Sequence, residues 1–74
     1  LIIMYIRLKN LREDNDYRQQ DIADVLNLTQ QQYSKIEKGL TEISADKLIK
    51  LSEFYCVSVD YILGITDNKQ HPKD

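Results

Sequence analysis

Three consecutive glutamines, Gln30, Gln31 and Gln32, stand just inside a segment, LTQQQYSKIEKG (28–39), that begins like a helix. Glutamine adds little to an apolar core, but each amide presents donors and an acceptor side by side. On the exposed first turn of a helix, such groups suit a partner with a patterned polar edge. Other chemistry is poorly supplied. One Cys and one His cannot make a disulfide framework or a zinc site within one chain. His71 lies in a polar tail with no ligand at metal-binding spacing, and Cys56 reads as a space filler near a helix end. Asp21 and Asp24 stand three apart on a short surface helix, where solvation explains them. There is no nucleophile–base pair, metal cluster or glycine-rich phosphate loop, so neither enzyme activity nor a cofactor or metal is expected.

The elements that must position the glutamines are helical. Two glycines, one proline and no alternating β-branched runs leave a pattern cut by turn signals into five short helices. The first runs from about Tyr5 to Asn15, with Met4, Leu8, Leu11 and Asn15 on one face. Asp16 then breaks it in a conformation that Asp tolerates. The second covers Gln19 to Leu26, with Ile22, Ala23 and Leu26 inward, and Asn27 ends it. The third starts strongly: Thr29 as N-cap, Gln32 completing a capping box, Leu28 and Tyr33 as a hydrophobic staple. Gly39 closes it. The fourth repeats that grammar, with Ser44 as cap, Ile43 and Leu48 as staple, and a stripe of Leu48, Leu51, Ser52 and Tyr55. The fifth, in VSVDYILG, is capped by Ser58, with Asp60 near its positive end. The expected core is Leu8, Leu11, Ile22, Ala23, Leu26, Tyr33, Ile36, Leu48, Leu51, Tyr55 and Ile62.

Length and charge bound what this bundle can be. With 74 residues there is room for one small core. A hydrophobic fraction of 42% beside 30% charged residues is the balance of a globular domain. The apolar start, LIIMYIRL, is too short to span a membrane and lacks the marks of a signal peptide, so a cytoplasmic location is expected. Residues 1–4 are taken as an N-terminal extension, with Met4 a possible start, residues 5–65 as the domain and 66–74 as a flexible polar tail. The formal charge of −2 is a caution against nucleic acid, whose phosphates demand Lys and Arg. From Leu28 to Thr41, however, the charges are Lys35, Glu37 and Lys38, and the acids cluster elsewhere.

Helix, three-residue turn and helix, with the small Ala23 at the crossing, is the geometry of the helix-turn-helix. The stretch QQDIADVLNLTQQQYSKIEK (19–38) resembles that of the Cro/C1 (XRE-like) repressor family. LRED (11–14), YSKIEKG (33–39) and VSVDYILG (57–64) fit the family's order and spacing, from Leu8 to Gly64. The resemblance implies an all-α, lambda-repressor-like DNA-binding domain whose third helix enters the major groove of double-stranded DNA. Gln30, Gln31 and Gln32 then fall where such domains read base edges, and a glutamine amide can pair bidentately with adenine. Gln32 is shared between this role and its capping box. Ser34 and Lys35 flank the readers. The resemblance further implies phosphate contacts from Arg18, Gln19, Thr29, Lys38 and Thr41, and a structural ion pair between Arg12 and Glu37.

The sequence departs from the family pattern at Arg18, which replaces a capping Ser, Thr or Asn. Asp16 and Asn27 replace glycines, Ile43 a frequent proline and Cys56 a frequent Asn or Gly. Phe54 falls off the stripe of its helix; with Tyr61, Leu63 and Ile65 it is the candidate surface of a homodimer on an inverted-repeat operator. The expected function is a transcriptional regulator, most simply a repressor. The alternative is a protein-interaction module, such as an antitoxin of the same fold, and a regulatory protein partner is compatible with either.

Overall fold

Leu8, Ile22, Tyr33, Leu51 and Ile62 are the largest fully buried side chains, and each comes from a different helix. None of these helices exceeds eleven residues, too few to be stable alone in water. Burying one such side chain contributes roughly 1.5–3 kcal/mol, and this shared core is what holds the helices. The computed structural model describes residues 5–70. Met4, the extension formed by residues 1–4 and His71 lie outside the described residues. The elements are α1 (Ile6–Asp14), α2 (Gln19–Val25), α3 (Gln30–Glu37), α4 (Ala45–Tyr55) and α5 (Val59–Ile62), with no strand among the described residues. The fold is all-α, as expected.

Tyr5, Ile43 and Val57 join the expected core, while Tyr55 is only half-buried against it. Tyr5 is the N-cap of α1, whose helix is therefore one residue shorter at each end than its pattern suggests. Asn15 does not share the inner face; it is exposed, and its side-chain amide donates to the Leu11 carbonyl. Side-chain–backbone bonding of that kind is how Asn competes with helix continuation.

The turns explain three of the departures from the family pattern. Asp16, Asn27 and Cys56 have φ of 58°, 60° and 56°, left-handed positions of the kind that favour glycine. Asp and Asn reach that region with little strain, whereas Cys56 has no such tolerance. α2 and α3 form the most extensive helix pair. Ala23 is fully buried at their junction, and its carbonyl accepts from the Leu28 N–H at 2.8 Å. A larger side chain there would force the two helices apart.

Two caps differ from expectation. Ser44 adopts the N-cap backbone of α4 but makes no side-chain hydrogen bond to the helix. The neighbouring Asp46 carboxyl is held below the ordinary range, chiefly by Ser44. At α2, the Asp21 carboxylate accepts from the Arg18 backbone N–H at 2.8 Å, so one half of a capping box survives without a capping side chain. Arginine has no acceptor to offer the other half.

The chain beyond α5 is tied back. Arg7 donates to the carbonyls of Tyr61 and Thr66, at 3.2 and 2.6 Å, and pairs with Asp67. The Ser58 N–H donates to the Lys69 carbonyl at 3.2 Å. Residues 66–70 of the polar tail therefore lie along α1 and the start of α5.

Candidate nucleic-acid interface

The start of α3 combines a capping box with an exposed polar face. The Gln32 N–H donates to the Thr29 hydroxyl at 3.1 Å, and the Gln32 side-chain carbonyl accepts from the Thr29 N–H at 2.9 Å. Gln32 thus gives its acceptor to the helix start and keeps only its amide N–H groups for a partner. Gln30 and Gln31 are exposed, and neither amide is engaged within the chain among the described residues.

At about 100° per residue, Tyr33, Ile36 and Glu37 turn inward and Gln31, Ser34, Lys35 and Lys38 turn outward. Gln30, Gln31, Ser34, Lys35, Lys38 and Leu40 line one shallow groove. The five predicted polar residues in it therefore share one surface. Gly39, at φ 76°, lets the Leu40 N–H return to the Lys35 carbonyl at 2.9 Å, which fixes the end of the helix.

Two further grooves flank this one. On the Gln32 side, Lys35, Thr41, Glu42 and Lys47 line a groove floored by Ile36 and Ile43. On the Glu37 side, Lys38 meets Lys9, Arg12 and Gln19. Lys35 belongs to the first pair of grooves and Lys38 to the second, so the three form one continuous surface around α3.

Beneath it lies a charged network. Arg12 reaches from α1 to Glu37 with Nε 2.7 Å from Oε2 and Nη2 3.1 Å from Oε1; Glu37 is buried, and the Arg12 side chain is 12% exposed. The Gln19 amide donates to Glu37 Oε1 at 3.2 Å, which leaves one of its N–H donors uncommitted. Burial pushes the Glu37 carboxyl up, but the hydrogen bonds led by Arg12 outweigh it, and the net shift is downward. Burial, then the neighbouring Glu37, pushes the Tyr33 phenol well above its ordinary value. That hydroxyl lies beside the carboxylate without closing a full hydrogen bond.

The remaining predicted residues are spread more widely. Arg18 is exposed, with its guanidinium 3.1 Å from Asp21, which partly neutralises it. Pairing of that kind on a surface is weak and yields readily to a phosphate. Thr29 is occupied by its cap, and Thr41 is exposed in the Lys47 groove. Phe54 rests against Tyr17 and Tyr55, with ring centroids 5.4 and 5.1 Å away. Arg7 covers the Tyr61 ring at 4.2 Å, while Leu63 and Ile65 stand 42% and 71% exposed.

Sequence reasoning missed Lys9, Leu40 and Lys47. Lys9 precedes Arg12 by one helical turn, so it had to share the face that meets α3. Lys47 lies one turn inside α4 from its cap, a signal available once the turn after Gly39 is known to bring α4 back beside α3. Among the described residues no helix is long and apolar enough to cross a membrane, and no cluster of metal-ligating side chains occurs.

Comparison with known proteins agrees with the helix-turn-helix fold. A family profile described as helix-turn-helix matches residues 8–62. The HTH-type transcriptional regulator ImmR of Bacillus subtilis (strain 168) is 40% identical over 58 residues, which cover 78% of this chain and 46% of ImmR. The SPbeta prophage-derived uncharacterized HTH-type transcriptional regulator YonR of the same organism is 44% identical over 57 residues, 77% of this chain and 53% of YonR. The uncharacterized HTH-type transcriptional regulator YobD, also from that organism, is 36% identical over 62 residues, 84% of this chain and 55% of YobD. The chain spans about half the length of the curated relatives it matches. No solved structure matches it.

Proposed function

Because the chain belongs to the Cro/C1-type helix-turn-helix family, we propose that it acts in the cytoplasm as a sequence-specific regulator of transcription, with α3 in the major groove of double-stranded DNA. The observation that carries this reading is the groove shared by Gln30, Gln31, Ser34, Lys35 and Lys38. Unengaged amides on the first turn of α3 suit adenine N6 and N7, and Lys35 suits guanine or a nearby phosphate. Gln19, Lys38, Thr41 and Arg18 fix the register on the backbone, and the Thr29 cap sets the helix start from which the readers project. Occupancy of an inverted repeat by a homodimer, with Leu63 and Ile65 at its surface, is the simplest route to repression.

The formal charge of −2 favours a second reading, a protein-interaction module of the same fold. The two differ in salt dependence, because phosphate contacts release counterions and protein contacts do not. The test is selection from fragmented genomic DNA of the source at near-physiological salt. An enriched inverted repeat with half-sites about one helical turn apart supports the dimeric regulator. No enrichment by a folded protein sinks the DNA reading and favours the protein partner.

A further inference from the structure

The charges of this chain are segregated in space. The three grooves around α3 hold five basic residues, Lys9, Arg12, Lys35, Lys38 and Lys47, against two acids, Glu37 and Glu42. Arg12 and Glu37 neutralise each other, which leaves four lysines and Glu42. The rest of the sequence then carries five basic and ten acidic residues. A chain with a negative net charge thus turns a cationic surface outward around one helix.

The kind of cation matters as much as its place. Arg7, Arg12 and Arg18 are each paired with a carboxylate, at 2.6, 2.7 and 3.1 Å. Lys9, Lys35, Lys38 and Lys47 have no salt-bridge partner among the described residues. Lys9 and Lys47 come from different elements and stand on opposite flanks of α3, one in the Glu37-side groove and one in the Gln32-side groove.

We infer that Lys9 and Lys47 contact phosphates on opposite strands of the duplex, so that α1 and α4 clamp the two walls of the groove that α3 enters. This rests on the DNA-binding reading above and extends it to two residues outside the helix-turn-helix. A helix lying in the major groove has one sugar–phosphate backbone on either side, and an unpaired ammonium on a four-carbon stem is suited to reach each. Glu42, in the Lys47 groove, would repel the backbone, and Lys47 and Lys35, which line the same groove, offset that charge.

The experiment measures binding to a duplex carrying a single half-site of the selected operator, where one copy binds in one orientation, across a salt series for the wild type and for Lys9→Ala, Lys47→Ala and Lys50→Ala. Circular dichroism establishes that each variant is folded. Each of the first two should make the slope of log K against log salt shallower by about 0.9, the share of one phosphate. Lys50, exposed on α4 outside the grooves, should leave the slope unchanged. Replacing phosphates of one strand with neutral methylphosphonates should abolish the effect of Lys9→Ala, and of the other strand that of Lys47→Ala. Wild-type slopes in both variants, or both effects vanishing with the same strand, overturn the clamp. A wild type without salt-dependent binding overturns the DNA reading itself.

Discussion

Arg12 and Glu37 meet in a bidentate ion pair that ties α1 to the inner face of α3, and Gln19 of α2 joins the same carboxylate at 3.2 Å. Three helices are thereby pinned at one point directly beneath the proposed reading surface. α3 has eight residues and cannot hold its own orientation. A charge cluster with defined geometry supplies what apolar packing, which is non-directional, does not.

Glu37→Gln should therefore be costly. It leaves the Arg12 guanidinium, 12% exposed, without its counter-charge. A loss on the order of 2–4 kcal/mol is expected, near the range for breaking a buried pair. Replacing both residues with apolar ones of similar volume should recover much of the loss. Urea denaturation of the two singles and the double would measure this, and simple additivity would show that the residues do not act as a pair.

Stability should fall at both extremes of pH. The Glu37 carboxyl is lowered in the folded state, so its contribution is present above the unfolded value of about 4.3 and is lost as pH falls through the folded value. Burial raises the Tyr33 and Tyr55 phenols, so their contribution is full below about 10 and is lost as pH rises beyond it. Denaturant midpoints taken in pH steps would show both limbs. The double variant Tyr33→Phe with Tyr55→Phe should flatten the alkaline limb, and the acid limb only to the smaller extent that the Tyr33 hydroxyl helps Arg12 lower the Glu37 carboxyl.

Gln30→Ala combined with Gln31→Ala should lower affinity for a selected site while leaving mixed-sequence binding nearly unchanged. Each bidentate pair lost removes about 1–3 kcal/mol of discrimination. Lys38→Ala should instead weaken binding to all sequences alike. Competition titrations separate the two patterns, and unchanged sequence preference in the glutamine variant would refute base reading.

Cys56→Gly should stabilise the protein by about 1 kcal/mol, because φ of 56° strains a residue whose local bond is a weak one, from the thiol to the Glu53 carbonyl at 3.7 Å. For a domain of this size, that corresponds to a rise of about 4–8 °C in Tm. A thermal melt followed by circular dichroism decides it, and an unchanged or lower Tm would mean that the αL turn at Cys56 is not strained.

The sequence by itself determined the order and character of the helices. Thr29, Gln32, Gly39 and Ser58 act through bonds to their own neighbours, and such local chemistry is legible from spacing alone. The inward stripes were equally plain, since helical period fixes which residues share a face. What the sequence left open is how faces of different helices meet. Ser44 lacks its expected cap bond, and Phe54 finds Tyr17 from the turn between α1 and α2. Lys9 and Lys47, thirty-eight positions apart in the numbering, come to flank the same helix. Those relationships depend on contacts between residues distant in the chain, which only the packed core of five helices brings together.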